Sequence, residues 1–349
     1  MESNERAFSM MRNAFETAQE KRPDLVRLHA CTFAGLPGMI SVVGTELARL
    51  LLPPIRHLLD NGVAATEPEL IIELWDAGET GVPYPGLPPD DHLASSEFGQ
   101  ILRTDEDRFL GCLRPNLFAW MDRSSSRIVA CTPDGSSLGL YERAKPLLFP
   151  LLLWHCDRDV VVVHAALVER AGKGVLFAGA AGAGKSTAAL TCVAAGFNYL
   201  GDDYIGLRPA GDGQFVGHSL FNSAWLDPNH PSSFPDLAPQ MMPGGLPKLP
   251  IILSDVYPEQ LSRAAPVRVL VLPRVVRAAR RRLRPATKKE ALFALAPSSL
   301  LKRPCSGQTA LEWIAGLVEC TPAYVLESDA DLTEIPACVE ELLDLESAT

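Results

Sequence analysis

The sequence predicts an α+β front part followed by an α/β part, and three observations support this division. Val160–Val163 is an unbroken β-branched run, which is typical of a strand buried on both faces. Lys173–Ala178 is a second apolar run, and it leads into a glycine-dense turn and an alanine-rich helix. Ahead of both, four strand candidates between residues 100 and 131 are spaced like an antiparallel meander. We therefore expect an α+β domain over residues 1–140 and an α/β domain over residues 141–349.

The front part is predicted to begin with a helix for which Asn4 is a candidate N-cap. Its apolar residues recur at spacings of three and four: Phe8, Met11, Phe15 and Ala18. A second helix from Thr45 to about Leu59 should kink or split at Pro53. Residues 77–97 are rich in Pro, Gly and Asp and are predicted to form a surface loop. The predicted strands are Val26–Thr32, Met39–Val43, Leu70–Trp75, Gln100–Arg103, Phe109–Leu113, Leu117–Asp122 and Arg127–Cys131. This part carries no recognisable catalytic motif.

The back part is predicted to follow an apolar helix, Glu142–Cys156, that is broken by prolines. Leu226–Pro250 is so rich in proline that we expect a long loop there. Gly196 occupies the position of a helix C′ glycine. The remaining predicted strands are Tyr199–Leu207, Gln214–Leu220, Val267–Leu272 and Ala323–Leu326. The predicted helices are Lys185–Ala195, Lys289–Leu295, Gly307–Val318 and Pro336–Leu343.

Charge and composition exclude several classes of protein. The 349-residue chain has a formal net charge of -10, which does not favour nucleic acid or anionic membranes as partners. None of its eight cysteines is in a CxxC pair, so we expect buried reduced thiols in a cytoplasmic protein. The first residues include acids and lack the apolar run of a signal peptide. The longest apolar run, Leu147–Trp154, is too short to cross a bilayer.

The glycine-dense turn fits the phosphate-loop pattern G-x-x-x-x-G-K-[ST]. Phosphate oxygens need several backbone N–H groups converging on them, and glycines remove the side chains that would block that approach. The following helix offers unpaired N–H groups and a positive dipole end. The motif lies between a strand and a helix, as its mechanism requires. The candidate nucleotide-binding residues are Gly179, Ala180, Ala181, Gly182, Ala183, Gly184, Lys185, Ser186 and Thr187.

Three side chains at the end of the motif have distinct predicted tasks. Lys185 places a positive charge at the outer phosphates, so we count it among the catalytic candidates. Ser186 can ligate Mg²⁺ through its hydroxyl, because Mg²⁺ prefers hard oxygen ligands together with phosphate. Thr187 lies near the inner phosphate. The glycine spacing and the lysine do not fit the G-x-G-x-x-G pattern of dinucleotide-binding folds.

A pair of acids, Asp202 and Asp203, follows shortly after the phosphate loop in "YLGDDYIGL". Neighbouring residues on a strand face opposite sides, so both acids can serve one site only if the strand ends or bulges there. One acid can hold a phosphate-bound Mg²⁺, and the other can accept a proton from an attacking hydroxyl. The alternative is a surface turn or a cap.

The stretch "VVVVHAALVERAGKGVLFAGAAGAGKSTAALTCVAAGFNYLGDDYIGL" resembles the core of the HPr kinase/phosphorylase family. The resemblance implies a phosphate-loop fold shared with phosphoenolpyruvate carboxykinase, and transfer of phosphate from ATP with Mg²⁺ to serine hydroxyls. It implies that Asp202 is the general base and that Asp203, with Ser186, holds the metal. His164 is implied to lie beside the active site and is a third catalytic candidate. Relatives assemble, so a homo-oligomer is possible.

A weaker likeness extends over "SLFNSAW", "VRVLVLPRV" and "PAYVLESDADLTEIPACVEELL", which are similar to HPr-kinase-like proteins of peptide-modification gene clusters. Some of those, as in lasso peptide clusters, phosphorylate a serine of a ribosomal precursor peptide. The chain has no stretch like the family's "EIRG" segment, and the Leu226–Pro250 loop takes its place. This difference argues against HPr as the acceptor and against the reverse reaction.

Other hypotheses stay open at this point. The protein can instead be a kinase of a small hydroxylated metabolite, a carboxykinase-like enzyme, or a non-catalytic adaptor that binds nucleotide. Arg274 can reach over the nucleotide or be an ordinary surface residue. Lys248 can contact a phosphate or simply lie exposed on its loop. The basic stretch Arg274–Lys289 can grip an acidic acceptor or form a solvated face. His164 can orient a site residue or be purely structural.

Overall fold

The computed structural model is a mixed α/β structure that divides into two compact units, Met1–Trp154 and His155–Thr349. The sequence instead placed the division between residues 140 and 141. The structure describes residues 2–60, 67–86, 93–96, 99–103, 108–211, 213–228, 234–276, 282–301, 307–328 and 332–345.

Unit 1 is built on a sheet whose described strands run in the order β1-β2-β3-β8-β7-β6-β5-β4. Its helices are α1 (Glu2–Lys21), α2 (Thr45–Leu51), α3 (Ala77–Thr80), α4 (Leu140–Ala144) and α5 (Leu148–Cys156), the last of which crosses into unit 2. Its strands are β1 (Val26–Phe33), β2 (Leu36–Val43), β3 (Leu70–Asp76), β4 (Leu93–Ser96), β5 (Gly99–Arg103), β6 (Phe109–Arg114), β7 (Leu117–Asp122) and β8 (Arg127–Thr132).

Local sequence patterns account for most of unit 1. The predicted apolar face of α1 is buried against the sheet. The helix begins at Glu2, so the prediction that Asn4 caps it is wrong. Pro53 ends α2 as expected, and a 3₁₀ turn continues from Pro53 to Leu58. Strands β5 to β8 form the predicted antiparallel meander. Residues 77–86 and 93–96 of the predicted surface loop contain α3 and β4; residues 87–92 and 97 lie outside the described chain.

Unit 2 has one large mixed sheet with the order β12-β10-β11-β17-β14-β13-β9; β19 pairs with β17, and β18 pairs with β19. A separate two-stranded sheet is formed by β15 and β16. The strands of the unit are β9 (Val161–Val163), β10 (Ala165–Arg170), β11 (Lys173–Ala178), β12 (Asn198–Gly201), β13 (Ile205–Pro209), β14 (Phe215–Ser219), β15 (Ser223–Leu226), β16 (Leu249–Ile252), β17 (Ala264–Val275), β18 (Arg282–Pro285) and β19 (Ala323–Ser328). Its helices are α6 (Lys185–Ala194), α7 (Lys288–Leu301), α8 (Gly307–Cys320) and α9 (Ile335–Leu345).

The central strands of unit 2 are buried on both faces, which explains why their sequences are uninterrupted apolar runs. Along β11, Val175 and Phe177 pack with α6 and α9, whereas Leu176 and Ala178 pack with α7 and α8. Strands β10 and β17 alternate in the same way. The predictions of buried strands at Val160–Val163 and Lys173–Ala178 are therefore confirmed. Gly196 has φ +94° directly after α6, as expected of a C′ glycine.

Two predictions about strands in unit 2 are wrong. Tyr199–Leu207 is two strands, β12 and β13, which lie at different places in the sheet and are separated by a turn at Asp202–Tyr204. The sequence also missed β15 and β16, which pair antiparallel at the two ends of the proline-rich segment. Residues 229–233 of that segment lie outside the described chain, and the rest contains one 3₁₀ turn, Ala238–Gln240.

The cysteines only partly match expectation. Five of the six free cysteines in the described chain are buried, and Cys320 is exposed. Cys156, at the end of α5, is disulfide-bonded, so the expectation of reduced thiols is wrong there. Spacing along the chain does not reveal a pair that only the fold brings together. Cys305 lies outside the described residues. None of the described helices is long and apolar enough to cross a membrane.

His218 on β14 should make unfolding depend on pH. Burial, helped by the charge of Arg208, lowers the pKa of His218 from 6.5 to about 4. As pH falls below about 6.5, His218 binds a proton in the unfolded chain but not in the folded chain. The free energy of unfolding therefore decreases until about pH 4. We expect a loss of about 3 kcal/mol from this group.

The measurement is chemical unfolding of the wild type and of His218→Gln between about pH 8 and pH 4. The variant cannot titrate at this position, and its free energy of unfolding should fall less steeply as acid is added. Equal slopes for the two proteins would show that His218 is not the group responsible.

Candidate active site

The phosphate loop, His164 and the two aspartates lie at one edge of the unit 2 sheet. Ala165 at the start of β10 is paired with Ala178 at the end of β11, so His164 and the phosphate loop meet there. Strand β12 pairs with the other side of β10, and its last residue, Gly201, is opposite Leu167. Strand β17 is parallel to β11, so its carboxyl end reaches the same edge. The fold thus brings the loop, His164 and the two aspartates to one edge.

The phosphate loop has the backbone that its glycines predict. Gly182 has φ +80° and Gly184 has φ +99°, a region that residues with side chains rarely adopt. A Cβ on Gly179 would lie 2.9 Å from the Cβ of Ala183, so the loop is closely wound there. Ala180, Ala181 and Gly182 are exposed, and this part of the loop therefore faces solvent.

Helix α6 begins at Lys185, directly on this loop. Its N-cap is Gly184, and no side chain caps the helix. The first N–H groups of an α-helix have no partner within the helix, and they favour an anion at that end. The partly buried Ser186 and Thr187 lie in the first turn, beside the position such an anion would take. The loop and the helix together have the form of a phosphate-binding site.

Lys185 is buried, with only 6% of its surface exposed. Its Nζ donates hydrogen bonds to the carbonyl oxygens of Gly179, at 2.8 Å, and Ala180, at 3.2 Å. The ammonium group therefore lies across the mouth of the loop, held by two of the loop's own carbonyls. A buried cation in this position supplies a fixed positive charge for an anion bound to the loop amides.

Strand β12 ends directly before the two aspartates. Strand β12 stops at Gly201, and Asp203 adopts φ +69°, so the chain turns between the two acids. The Asp203 N–H donates to Asp202 Oδ1 at 3.0 Å. Asp202 is 2% exposed, whereas the Asp203 side chain is 28% exposed. Because the two acids lie in a turn and not on a strand, their side chains are not forced to opposite faces of the sheet.

His164 fixes this turn. Its Nδ1 lies 3.1 Å from the Asp203 carbonyl oxygen, which can only accept, so Nδ1 carries the hydrogen. Nδ1 also lies 3.9 Å from Asp203 Oδ1. The His164 N–H donates to Ser299 Oγ at 3.0 Å, and this hydroxyl donates to the Leu295 carbonyl at 2.6 Å. His164 is thus a buried residue that orients Asp203 through its backbone.

Sequence reasoning missed two residues near the aspartates. Ser299 lies on α7, far along the chain from His164, and a serine in a helix gives no signal of such a contact. Tyr199 is buried on β12 and donates its hydroxyl hydrogen to the Ser223 carbonyl at 2.9 Å. Burial raises the pKa of Tyr199 well above its usual value, and the charges of Asp202 and Asp203 raise it further. Tyr199 therefore stays neutral beneath the acidic turn.

Three weaker candidates gain no role from the structure. Arg274 forms an ion pair with Glu290 at 3.3 Å, so the hypothesis that it reaches over the nucleotide has no support. Arg284, bonded to the same carboxylate at 2.7 Å, lowers the pKa of Glu290 to about 2. Lys248 is exposed on its loop. Of the basic stretch Arg274–Lys289, residues 277–281 lie outside the described chain.

The residues predicted to hold Mg²⁺ carry the oxygen donors that this ion prefers. Ser186 offers a hydroxyl oxygen and the partly exposed Asp203 a carboxylate oxygen, both of them hard donors. Mg²⁺ is usually held by one or two protein oxygens, with phosphate and water completing its shell. Among the described residues, no group of three or more His, Cys, Asp and Glu side chains could hold a metal ion by itself. Ser186 and Asp203 stay the predicted ligands.

Comparison with known proteins gives limited results. No protein family matches the chain, and no characterised protein matches it in sequence. Among solved structures, the HPr(Ser) kinase/phosphatase from Coxiella burnetii is similar. The match is 14% identical, covers 54% of this chain and 96% of that chain, and has a TM-score of 0.29.

Proposed function

We propose that this chain is an ATP-dependent kinase of the HPr-kinase-like type, which transfers the γ-phosphoryl group to a hydroxyl. One observation carries the proposal. A phosphate loop with a buried lysine and a turn with two adjacent aspartates lie at the same edge of one sheet. The first can hold a triphosphate, and the second provides a proton acceptor and a partly exposed carboxylate.

Each residue has one task in this proposal. The loop amides and Lys185 hold the phosphates and offset the charge that develops during transfer. The acceptor oxygen attacks the γ-phosphorus, the bond to the β,γ-bridging oxygen breaks, and ADP leaves. Asp202 accepts the hydroxyl proton. Ser186 and Asp203 would hold Mg²⁺, which supplies charge neutralisation at the phosphates when bound. His164 keeps Asp203 in its left-handed conformation.

The hydroxyl is proposed to be that of a serine in a peptide or protein. The support is the sequence resemblance, which extends beyond the phosphate loop into the segment around Asn222 and the carboxyl-terminal part of the chain. The net charge of -10 argues against nucleic acid as a partner. The cytoplasm, where ATP and Mg²⁺ are both abundant, is the proposed compartment.

Calorimetry of the full chain with ADP and with a non-hydrolysable ATP analogue tests nucleotide binding directly. We expect binding that strengthens when Mg²⁺ is added, because the metal offsets phosphate charge. The same protein is then incubated with radiolabelled ATP and either a serine-containing peptide library or free serine and glycerol. Label in the peptides supports the proposal.

Two results would contradict the proposal in different ways. If the protein binds the analogue but labels neither class of acceptor, a non-catalytic adaptor fits better. If only the small molecules are labelled, the kinase assignment stands and the peptide acceptor is wrong. Omitting Mg²⁺ serves as the control in both experiments.

A further inference from the structure

Val275, at the carboxyl end of β17, is an exposed apolar residue beside the phosphate loop. It is 69% exposed, the largest value among the exposed apolar side chains of the described chain. Its Cγ2 lies 3.7 Å from the position a Cβ would take on Gly184, and the Cβ of Pro273 lies 3.8 Å from the same point. Pro273 and Val275 therefore form an apolar wall along one side of the loop, in which the buried Pro273 supports Val275 and Val275 supplies the exposed surface.

The intervening residue faces away from this wall. Successive side chains of a strand point to opposite faces, and Arg274 is held on the other face by Glu290 of α7. The register with β19 continues through this segment, where Arg274 is opposite Glu327 and Val275 is opposite Ser328. Backbone pairing thus holds the wall in place, and the apolar face towards the loop is a regular feature of the strand.

The wall and the aspartates lie on opposite sides of the phosphate loop. The loop follows β11, which has β10 and then β12 on one side and β17 on the other. His164, Asp202 and Asp203 belong to the β10 and β12 side. Pro273 and Val275 belong to the β17 side. If a bound triphosphate presents its terminal phosphate to the aspartates, its nucleoside end points towards the β17 side of the loop.

We propose that the nucleoside of ATP packs against the wall formed by Pro273 and Val275, an inference that rests on the proposed function. The reacting hydroxyl of the acceptor does not occupy this position, because it must reach Asp202 on the other side of the loop. A ribose or base covering Val275 removes apolar surface from water. The valine side chain offers no hydrogen bond to base edges. The contact therefore favours nucleotides over a bare triphosphate without selecting one base.

The test compares the affinities of the full chain for ATP and for inorganic tripolyphosphate, measured by calorimetry with Mg²⁺. Val275→Ser keeps the charge and removes the apolar contact, and we expect ATP to bind about tenfold more weakly. Tripolyphosphate, which lacks a nucleoside, should bind as it does to the wild type. Val275→Ile should retain ATP affinity. Leu345→Ser, at a residue that is 60% exposed on α9, is the matched control and should change neither affinity.

Equal weakening of both ligands by Val275→Ser would mean that the residue acts through the loop, and the inference would be wrong. Unchanged ATP affinity would overturn it as well. These outcomes are distinct from failure of the proposed function, in which the wild-type protein itself would bind neither ATP nor tripolyphosphate.

Discussion

Replacing Asp202 with Asn is expected to lower phosphoryl transfer by about a hundredfold or more while leaving ATP affinity close to that of the wild type. An asparagine has nearly the same shape, and its Oδ1 can still accept the hydrogen bond that the Asp203 N–H donates at 3.0 Å. The turn between β12 and β13 should therefore survive. What the variant loses is a carboxylate able to take the acceptor's proton.

Single-turnover transfer from radiolabelled ATP and calorimetric binding of ADP measure the two halves of this prediction. Asp344→Asn, a change of an exposed carboxylate on α9, is the matched control for the loss of one negative charge. If Asp202→Asn retained more than about a tenth of the wild-type rate, Asp202 would not be the general base. If ATP affinity fell in parallel with the rate, the residue would serve nucleotide binding instead.

The phosphate loop could be predicted from the sequence because its chemistry is local. Glycines that permit positive φ, a lysine and two hydroxyls must be adjacent along the chain for backbone amides to surround a phosphate. The observed φ of +80° at Gly182 and +99° at Gly184 follows from that requirement. The burial of both sheet faces was predictable for a similar reason, since unbroken apolar runs have no polar side to expose.

The turn at the aspartates could not be predicted as firmly. Tyr199–Leu207 has the composition of one strand. Aspartate tolerates a φ of +69° better than most residues, but its presence alone does not show that the chain turns there. That conformation at Asp203 is accompanied by a bond from His164, whose own backbone is bonded to Ser299. His164 is 39 positions from Asp203 and 135 positions from Ser299 along the chain. Only the folded chain brings them together.

Strand pairing in unit 1 shows the same limit. The meander from β5 to β8 was predictable because each strand pairs with its neighbour in sequence. The parallel pairing of β3 with β2 and β8 joins segments that are distant along the chain. Hydrophobic patterns predict that such strands exist, but they do not specify partners at long range.

Replacing Lys185 with Met is expected to weaken ATP binding at least tenfold and to lower phosphoryl transfer by a larger factor. Methionine fills most of the space of the lysine stem, so the packing of this buried side chain is largely kept. The variant loses the charge at the loop mouth, and it also leaves the carbonyls of Gly179 and Ala180 without the Nζ donor that now binds them. Both losses act on the loop that holds the phosphates.

Lys248→Met is the matched control, because Lys248 is an exposed lysine of the same unit and its removal changes the net charge by the same amount. It should leave ATP affinity and transfer unchanged. Lys185→Arg separates charge from geometry: the guanidinium keeps the positive charge, but its planar fork cannot reproduce the two bonds of a single ammonium group. We therefore expect that variant to recover part of the binding and little of the transfer. A buried cation this close to the loop must attract an anion that is bound there. Wild-type affinity and rate in Lys185→Met would therefore mean that the loop does not hold phosphate during the reaction.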